Sequence, residues 1–270
     1  MVLGLMLALG PVTALGHSLT LLTYNVAEFS DTNRVRIDRL IRLITDLEPD
    51  IIHLQEAQQQ TLKQLKTNSV IRNQYTPFHG GPPNSLPNGG LLTLTKKSLN
   101  AHRWTYITFP SDMDRGMLSV QVNLCDRPHY LVNLHLESPD MLFWRSQSLR
   151  AKQVDILGDW GRHHPDLILA GDFNTFLDQH IDQSLDRYWS DAWTLLRGGD
   201  PGLTWDPNTN LMASWHGLLR IAGARLDRVL FQSDTLLPSR ITQLGMDAPE
   251  DLSDHFGLLA EFSCQRPPRP

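Results

Sequence analysis

Apolar residues fall along the chain in short blocks whose spacing switches between strand-like and helix-like. Ser18 to Val26 is a nearly unbroken apolar run rich in β-branched and aromatic residues, which predicts a buried strand, and Phe29 to Thr32 supplies the polar residues of a turn. Ile37, Leu40, Ile41, Ile44 and Leu47 then recur on one helical face while Arg36, Arg39, Arg42 and Asp46 take the other, and Pro49 stops the helix. Ile51 to Gln55 predicts a second strand that runs into Glu56. Gly80 to Gly90 holds Pro82, Pro83 and Pro87 among its glycines and predicts a loop.

Four strand-like blocks follow: Leu91 to Lys96, His102 to Phe109, Met117 to Leu124 and Tyr130 to Leu136. In the last, Val132, Leu134 and Leu136 point one way and Asn133, His135 and Glu137 the other. Leu149, Gln153 or Val154, Ile156, Leu157 and Trp160 predict a second helix, ended near Gly161 and Pro165. Asp166 to Ala170 returns to strand. After a polar, Trp-rich middle, Arg225 to Gln232 and Phe256 to Phe262 read as the last two strands. Strands this numerous, with helices interspersed irregularly, predict an α/β sandwich instead of a doubly wound parallel sheet.

Composition narrows the class. The chain has 270 residues, 41% hydrophobic and 20% charged, which excludes collagenous, coiled-coil and wholly disordered readings. From His17 onward no linker, charge block or repeat divides it, so we expect one domain over 17–264 and a flexible tail over 265–270. Lys+Arg 24 against Asp+Glu 29 gives a net charge of 24 − 29 = −5, so a polyanionic substrate would be met by a local patch or a metal ion and not by overall charge. Cys125 and Cys264 sit in or beside apolar runs and are expected as small core residues; two cysteines make neither a disulfide-rich framework nor a closed zinc site. The apolar stretch Met1 to Gly16 is shorter than the ~20 residues of a membrane span. It has the look of a secretory h-region with Ala14-Leu15-Gly16 as a cleavage site, but lacks Lys and Arg, and so leaves secreted and cytoplasmic locations both open.

Groups able to do chemistry recur where apolar strands end: Asn25, Glu56, His135, Asp172 with Asn174, Asp227, and Asp254 with His255. Each alone has an ordinary explanation as a solvated turn residue or a cap. Repetition of one placement across the chain points to a site on a sheet rim, where a rigid scaffold gathers distant residues. The residue types suit hydrolysis of a phosphate ester. Carboxylates and amides without a Cys or His cluster favour Mg²⁺ or Mn²⁺ over zinc, and histidines remain for the phosphate. Gly-x-Ser-x-Gly and Gly-x-x-x-x-Gly-Lys are both absent, which removes the serine-hydrolase and P-loop readings, and a glycosidase gives no reason for the amides.

Thr23-Tyr24-Asn25-Val26, Leu54-Gln55-Glu56, Asn133-Leu134-His135-Leu136, Gly171-Asp172-Phe173-Asn174, Leu226-Asp227-Arg228 and Ser253-Asp254-His255 resemble, in order, the motif series of the endonuclease/exonuclease/phosphatase superfamily. The resemblance spans Leu19 to Phe262 and implies a four-layered α/β sandwich, two packed mixed β-sheets flanked by helices, with the site at one end. It implies Glu56 as the direct metal ligand, with Asn25 and Asp254 near the ion through water. Asp172 would orient or deprotonate the attacking water, and Asn174 would bond that water or a phosphate oxygen. His255, held by Asp227, would stabilise charge on phosphorus, and His135 would grip the other side of the phosphate.

Within the superfamily, His135-Leu136-Glu137-Ser138, Leu203-Thr204-Trp205-Asp206 with Asn210 downstream, Arg225-Leu226-Asp227-Arg228 and Ser253 to Leu259 are similar to the tyrosyl-DNA phosphodiesterase 2 branch, which releases tyrosine from 5′ phosphates of DNA. That similarity implies a nucleic acid end or a similar phosphodiester as partner, Ser138 beside His135 on the phosphate, and Trp205 as an aromatic wall for the terminal nucleotide. Two cations of the branch are missing, at Phe176 and around Pro139-Asp140; Arg115, Arg145 and Arg228 are candidates to replace them. A less selective nuclease, or a lipid or sugar phosphatase on the same scaffold, is the competing enzymatic reading. A non-catalytic binding module would have no chemical need for Glu56, Asp172 and His255 together.

Overall fold

A computed structural model describes residues 15–27, 34–80, 86, 90–139, 143–175, 179–215, 223–245 and 252–265. The turn expected at Phe29 to Thr32, most of the Gly80 to Gly90 loop, Asp140, Phe176, most of the Met1 to Gly16 stretch and the tail beyond 265 lie outside the described residues.

The elements run β1 (Leu15–Asn25), α1 (Arg34–Leu47), β2 (Ile51–Gln55), α2 (Gln59–Thr67), α3 (Ser69–Gln74), β3 (Tyr75–His79), β4 (Leu92–Lys96), β5 (Arg103–Thr108), β6 (Gly116–Leu124) and β7 (Arg127–His135). There follow α4 (Phe143–Arg162), β8 (Leu167–Asp172), α5 (Gln179–Tyr188), β9 (Ser190–Asp191), α6 (Ala192–Arg197), α7 (Leu211–Trp215), β10 (Asp227–Gln232), β11 (Leu236–Leu244) and β12 (Gly257–Cys264). They build two six-stranded sheets, ordered β11-β12-β1-β2-β4-β3 and β5-β6-β7-β8-β10-β9. Each sheet has one parallel pair at its centre, β1 with β2 and β7 with β8, joined by the helical crossovers α1 and α4, and is otherwise antiparallel. The fold is therefore a sandwich of two mixed sheets.

Side-chain alternation sorts the layers. Leu19 and Leu21 of β1 face the other sheet and join Leu131, Ile168, Ala170 and Val229, while Leu22 and Tyr24 face Ile37, Leu40 and Ile44 of α1. On the far side Val132 and Leu134 of β7 pack on Val154 and Leu157 of α4 and Ile181 and Leu185 of α5. Central strands covered on both faces are buried along their whole length, as β2 and β8 are, which is why they read as unbroken apolar runs. Each such Leu or Ile contributes about 1.5–3 kcal/mol by leaving water.

The structure corrects several expectations. Arg225 to Gln232 and Phe256 to Phe262 are not the last two strands, because β11 lies between them. Its run is broken by Pro238, Ser239 and Arg240, which an edge strand tolerates and a central one does not. The polar middle holds α5, β9, α6 and α7; α5 reaches the outer core through Ile181 and Leu185, with Tyr188 packed against its edge, and α6 is started by Asp191, whose carboxylate accepts the N–H groups of Trp193 and Thr194. Cys264 is a core residue as expected, but the two cysteines are not separate thiols. Cys125, in the turn between β6 and β7, is disulfide-bonded to Cys264, 139 residues away, so the bond ties one sheet to the other. Cys264 pairs with Leu15 at the start of β1, at the pole opposite Asn25.

Candidate active site

Parallel pairing brings the chemistry together. Because β1 and β2 run the same way, as do β7 and β8, their C-terminal ends share one pole: Asn25 is in register with Gln55 just before Glu56, and His135 with Asp172. Antiparallel β10 begins beside the end of β8, which sets Asp227 opposite Asp172. Gly171 permits the close approach, since a Cβ there would stand 2.0 Å from the Leu134 carbonyl oxygen. Just past two of these strand ends, Glu56 and Asn174 take left-handed backbone with φ of 55° and 50°, a conformation that costs a non-glycine residue about 1 kcal/mol or more.

Asp172 is the hub. Its Oδ2 accepts the Asn25 Nδ2–H at 2.9 Å and lies 3.3 Å from His135 Nε2 and 3.8 Å from His255 Nε2; its Oδ1 accepts the backbone N–H of Asn174 at 2.9 Å. Asn25 Nδ2 also approaches Glu56 Oε1 at 3.4 Å, and His135 Nε2 stands 3.9 Å from that same oxygen. Asp227 Oδ2 and His255 Nδ1 are 2.7 Å apart. The segment carrying His255 is pinned by Asn25, Asn210, Arg36 and Thr204. The Ser253 hydroxyl donates to the Asn25 carbonyl at 2.7 Å and accepts the His255 N–H, and Asn210 Nδ2 donates to the Ser253 carbonyl. Arg36 donates to the carbonyls of Leu252 and Val26, bridging the two loops. Thr204 accepts the Asp227 N–H on its hydroxyl and the Phe256 N–H on its carbonyl.

Electrostatics assign different states to the two histidines. Burial would lower His255, but Asp227, Asp172 and Asp254 raise it well above the ordinary imidazole value, so it is a cation at neutral pH. Asp227 is pushed up to about 6 by burial against the pull of His255, which leaves an ion pair at neutral pH. Burial and then the Arg115 guanidinium lower His135, which is neutral. Asp172 resists its own burial and stays ionised, because His135, His255 and Asn25 hold it below the usual carboxylate range.

Two groups of residues could hold a metal ion. Asp172, Asp227 and His255 offer ligand atoms within 4.8 Å of one another. In that trio the facing nitrogen of His255 carries the proton shared with Asp227 Oδ2, and a cation between them would have to replace it. Glu56 fits better. Its side chain is 29% exposed and the Asn25 Nδ2–H approaches it only at 3.4 Å, which leaves the carboxylate open to a hard cation such as Mg²⁺ or Mn²⁺. Asn25 presents Nδ2–H to the carboxylates while its Oδ1 accepts the Ala27 N–H. It spaces Glu56 from Asp172 and would meet an ion through water.

The remaining expected residues take these places. Asp254 is half-buried, stands with Oδ1 3.3 Å from Ser253 Oγ and supports the charges of Arg36 and His255. Ser138 is half-buried on the loop after β7, three residues beyond His135. Trp205 is half-buried next to Thr204, with its backbone paired to Ala224. Of the three arginines, Arg145 pairs with Asp112 at the surface and Arg228 is buried against Asp182 and Thr175 behind the site. Arg115 alone of the three enters the site, where its Nη1 donates to His135 Nδ1 at 2.8 Å.

The family profile described as "Endonuclease/Exonuclease/phosphatase family" matches residues 22–255, from one end of this constellation to the other. The chain belongs to that family. Members of the family act on phosphoric esters, and solved structures carry the same fold. D. rerio TDP2 complexed with single-strand DNA product aligns at TM-score 0.77 and 26% identity over 91% of this chain and 98% of that one. Truncated Caenorhabditis elegans TDP2 aligns at TM-score 0.74 and 20% identity over 92% and 98%. The human Nocturnin catalytic domain with bound sulfate aligns at TM-score 0.67 and 15% identity over 92% and 94%. No curated protein matches the sequence. Among the described residues no helix is long and apolar enough to cross a membrane.

The motifs contain the hub, both histidines and the bracing Asp227, Ser253, Thr204 and Asn210, but they do not say what Thr204 braces and do not include Arg36 or Arg115. Arg36 reads from sequence as one more charge on the polar face of α1, and Thr204 as a loop residue. Their roles follow from contacts across 216 and 23 positions of chain, which no local pattern encodes.

Proposed function

We propose that the protein is a divalent-metal-dependent phosphodiesterase acting on 5′-blocked DNA ends or a similar phosphodiester. The observation that carries this reading is the arrangement around Asp172, an ionised carboxylate between a cationic imidazole on one flank and a neutral imidazole N–H on the other. Asp172 can orient a water and take its proton. His255, kept charged by Asp227, offsets the negative charge that grows on phosphorus, and His135 Nε2–H holds a non-bridging oxygen from the opposite side. Asn174 gives one amide hydrogen to the Leu136 carbonyl, leaving the other for the water or a phosphate oxygen. Bound at Glu56, Mg²⁺ or Mn²⁺ would supply a positive charge against the phosphate oxygens. Ser138 and Trp205 would hold the phosphate and the terminal nucleotide. The D. rerio TDP2 neighbour with its single-strand DNA product supports the choice of substrate.

A second reading, a less selective nuclease that is exported, is favoured by the Cys125–Cys264 disulfide, because such bonds persist in oxidising compartments and are rare in the cytosol. One panel separates the two: a 5′-tyrosyl oligonucleotide, plain single- and double-stranded DNA and bis-p-nitrophenyl phosphate, each with Mg²⁺ or with EDTA. Preferred release of tyrosine supports end processing. Equal cutting of internal bonds, together with a mature amino terminus shortened to about residue 17 by mass, supports the exported nuclease. Hydrolysis unaffected by EDTA removes the metal from both.

A further inference from the structure

The contact between Arg115 and His135 decides how the imidazole can act. Every guanidinium nitrogen is a donor or carries no free lone pair, so His135 Nδ1, 2.8 Å from Arg115 Nη1, accepts. A neutral ring that accepts at Nδ1 has its proton on Nε2. That nitrogen is buried without a formed hydrogen bond among the described residues, and it faces Asp172 and Glu56.

Arg115 is itself held by the segment that carries His135. Glu137, two residues after His135 and 1% exposed, accepts the Ser111 hydroxyl at 2.5 Å and the Asp112 N–H at 3.0 Å. Ser111 Oγ in turn accepts the N–H groups of Met113 and Arg115. From α4, Gln153 binds the Glu137 N–H and the Pro110 carbonyl, and Arg150 binds the Glu137 carbonyl. One buried carboxylate thus anchors the 110–115 loop to the strand end, and the loop returns Arg115 to the ring.

We infer that Arg115 is a positioning residue that locks His135 in the Nε2–H tautomer, so that this ring meets the phosphate only as a hydrogen-bond donor. The inference rests on the phosphodiester reading above for the identity of what His135 meets. The opposite tautomer would set Nδ1–H against a guanidinium N–H and leave Nε2 as a lone pair facing two carboxylates and an anionic substrate.

The test is ¹⁵N NMR of histidine-labelled protein in the wild type, Arg115→Met and Arg115→Lys, with the His135 signals assigned through His135→Gln. The expected result is an unprotonated Nδ1 and a protonated Nε2 in the wild type and in Arg115→Lys, and a tautomer mixture in Arg115→Met. In parallel, kcat/KM on bis-p-nitrophenyl phosphate should fall about 10–100-fold in Arg115→Met, the usual effect of removing a partner that orients a histidine, and recover in part in Arg115→Lys. A protonated Nδ1 in the wild type, or an unchanged tautomer in Arg115→Met, overturns the inference. Should Arg115→Met not fold, the wild-type and Arg115→Lys spectra still decide it. If no phosphodiester is hydrolysed while the spectra behave as expected, the phosphodiester reading fails and the tautomer lock stands.

Discussion

The two flanks of the site use the same side chain in opposite ways. On one, His255 meets the carboxylate of Asp227 at 2.7 Å and is held as a cation; on the other, His135 meets the guanidinium of Arg115 at 2.8 Å and is held neutral. Both rings are buried and both have Nε2 within 4 Å of one oxygen of Asp172. Burial lowers each of them; Arg115 pushes His135 the same way, whereas the carboxylate of Asp227 overcomes burial at His255. His53 of β2 supplies the reference: buried between the sheets, and with no side-chain hydrogen bond among the described residues, it is lowered to about 3 by burial. Burial alone makes a histidine of this fold neutral, Arg115 adds to it at His135, and only the carboxylates around His255 reverse it.

The largest blow to this asymmetry should come from Asp227→Asn. Without the carboxylate His255 loses the charge that overcomes its burial, and kcat should drop about 10²–10³-fold, as when one donor to a transition-state oxyanion is removed. That loss should exceed the loss in Arg115→Met; the reverse order in steady-state kinetics would show that the two flanks are not divided in this way.

The disulfide pole offers a contrast of another kind. Reducing Cys125–Cys264, or replacing both residues by serine, should lower unfolding stability by about 2–5 kcal/mol in a guanidinium titration while leaving kcat unchanged well below the melting point. An equal loss of activity would mean that the far pole governs the site geometry.

Trp205→Ala should weaken use of oligonucleotides by about 1–3 kcal/mol in kcat/KM, the worth of one stacked base, with little change on bis-p-nitrophenyl phosphate. Equal effects on both substrates would move Trp205 from substrate contact to packing around Thr204.

His53 carries the comparison into a stability–pH measurement. In the fold it stays neutral down to about pH 3, whereas in the unfolded chain it takes a proton near its ordinary value of 6.5. Between those values the unfolded state binds more protons, so its contribution to stability is complete above about pH 6.5 and falls with pH by about 1.4 kcal/mol per unit. His53→Leu should flatten that part of the stability–pH curve. An unchanged slope would show that His53 does not govern it.

Much of this was legible before the structure. Strand ends marked by Asn25, Glu56, His135 and Asp172 could be read because a parallel βαβ unit places its strand C-termini at one rim, and His255 joins them just before the start of antiparallel β12; a run such as Ile51–Gln55 is apolar only if both faces are covered. What could not be read depended on contacts between remote segments. The Arg115 guanidinium reaches His135 from the neighbouring strand's entry loop, and Cys125 meets Cys264 across the two sheets. β11 was hidden by Pro238, whose local signal is that of a breaker and whose actual setting is a sheet edge.

A metal-assisted phosphodiester site with Asp172 as its ionised hub stands or falls on bis-p-nitrophenyl phosphate hydrolysis by the wild type and Asp172→Asn, each with Mg²⁺ and with EDTA. The prediction is Mg²⁺-dependent turnover in the wild type, abolished by EDTA, and a kcat lower by about 10³–10⁴-fold in a folded Asp172→Asn protein. Turnover by Asp172→Asn within a few fold of the wild type would contradict it.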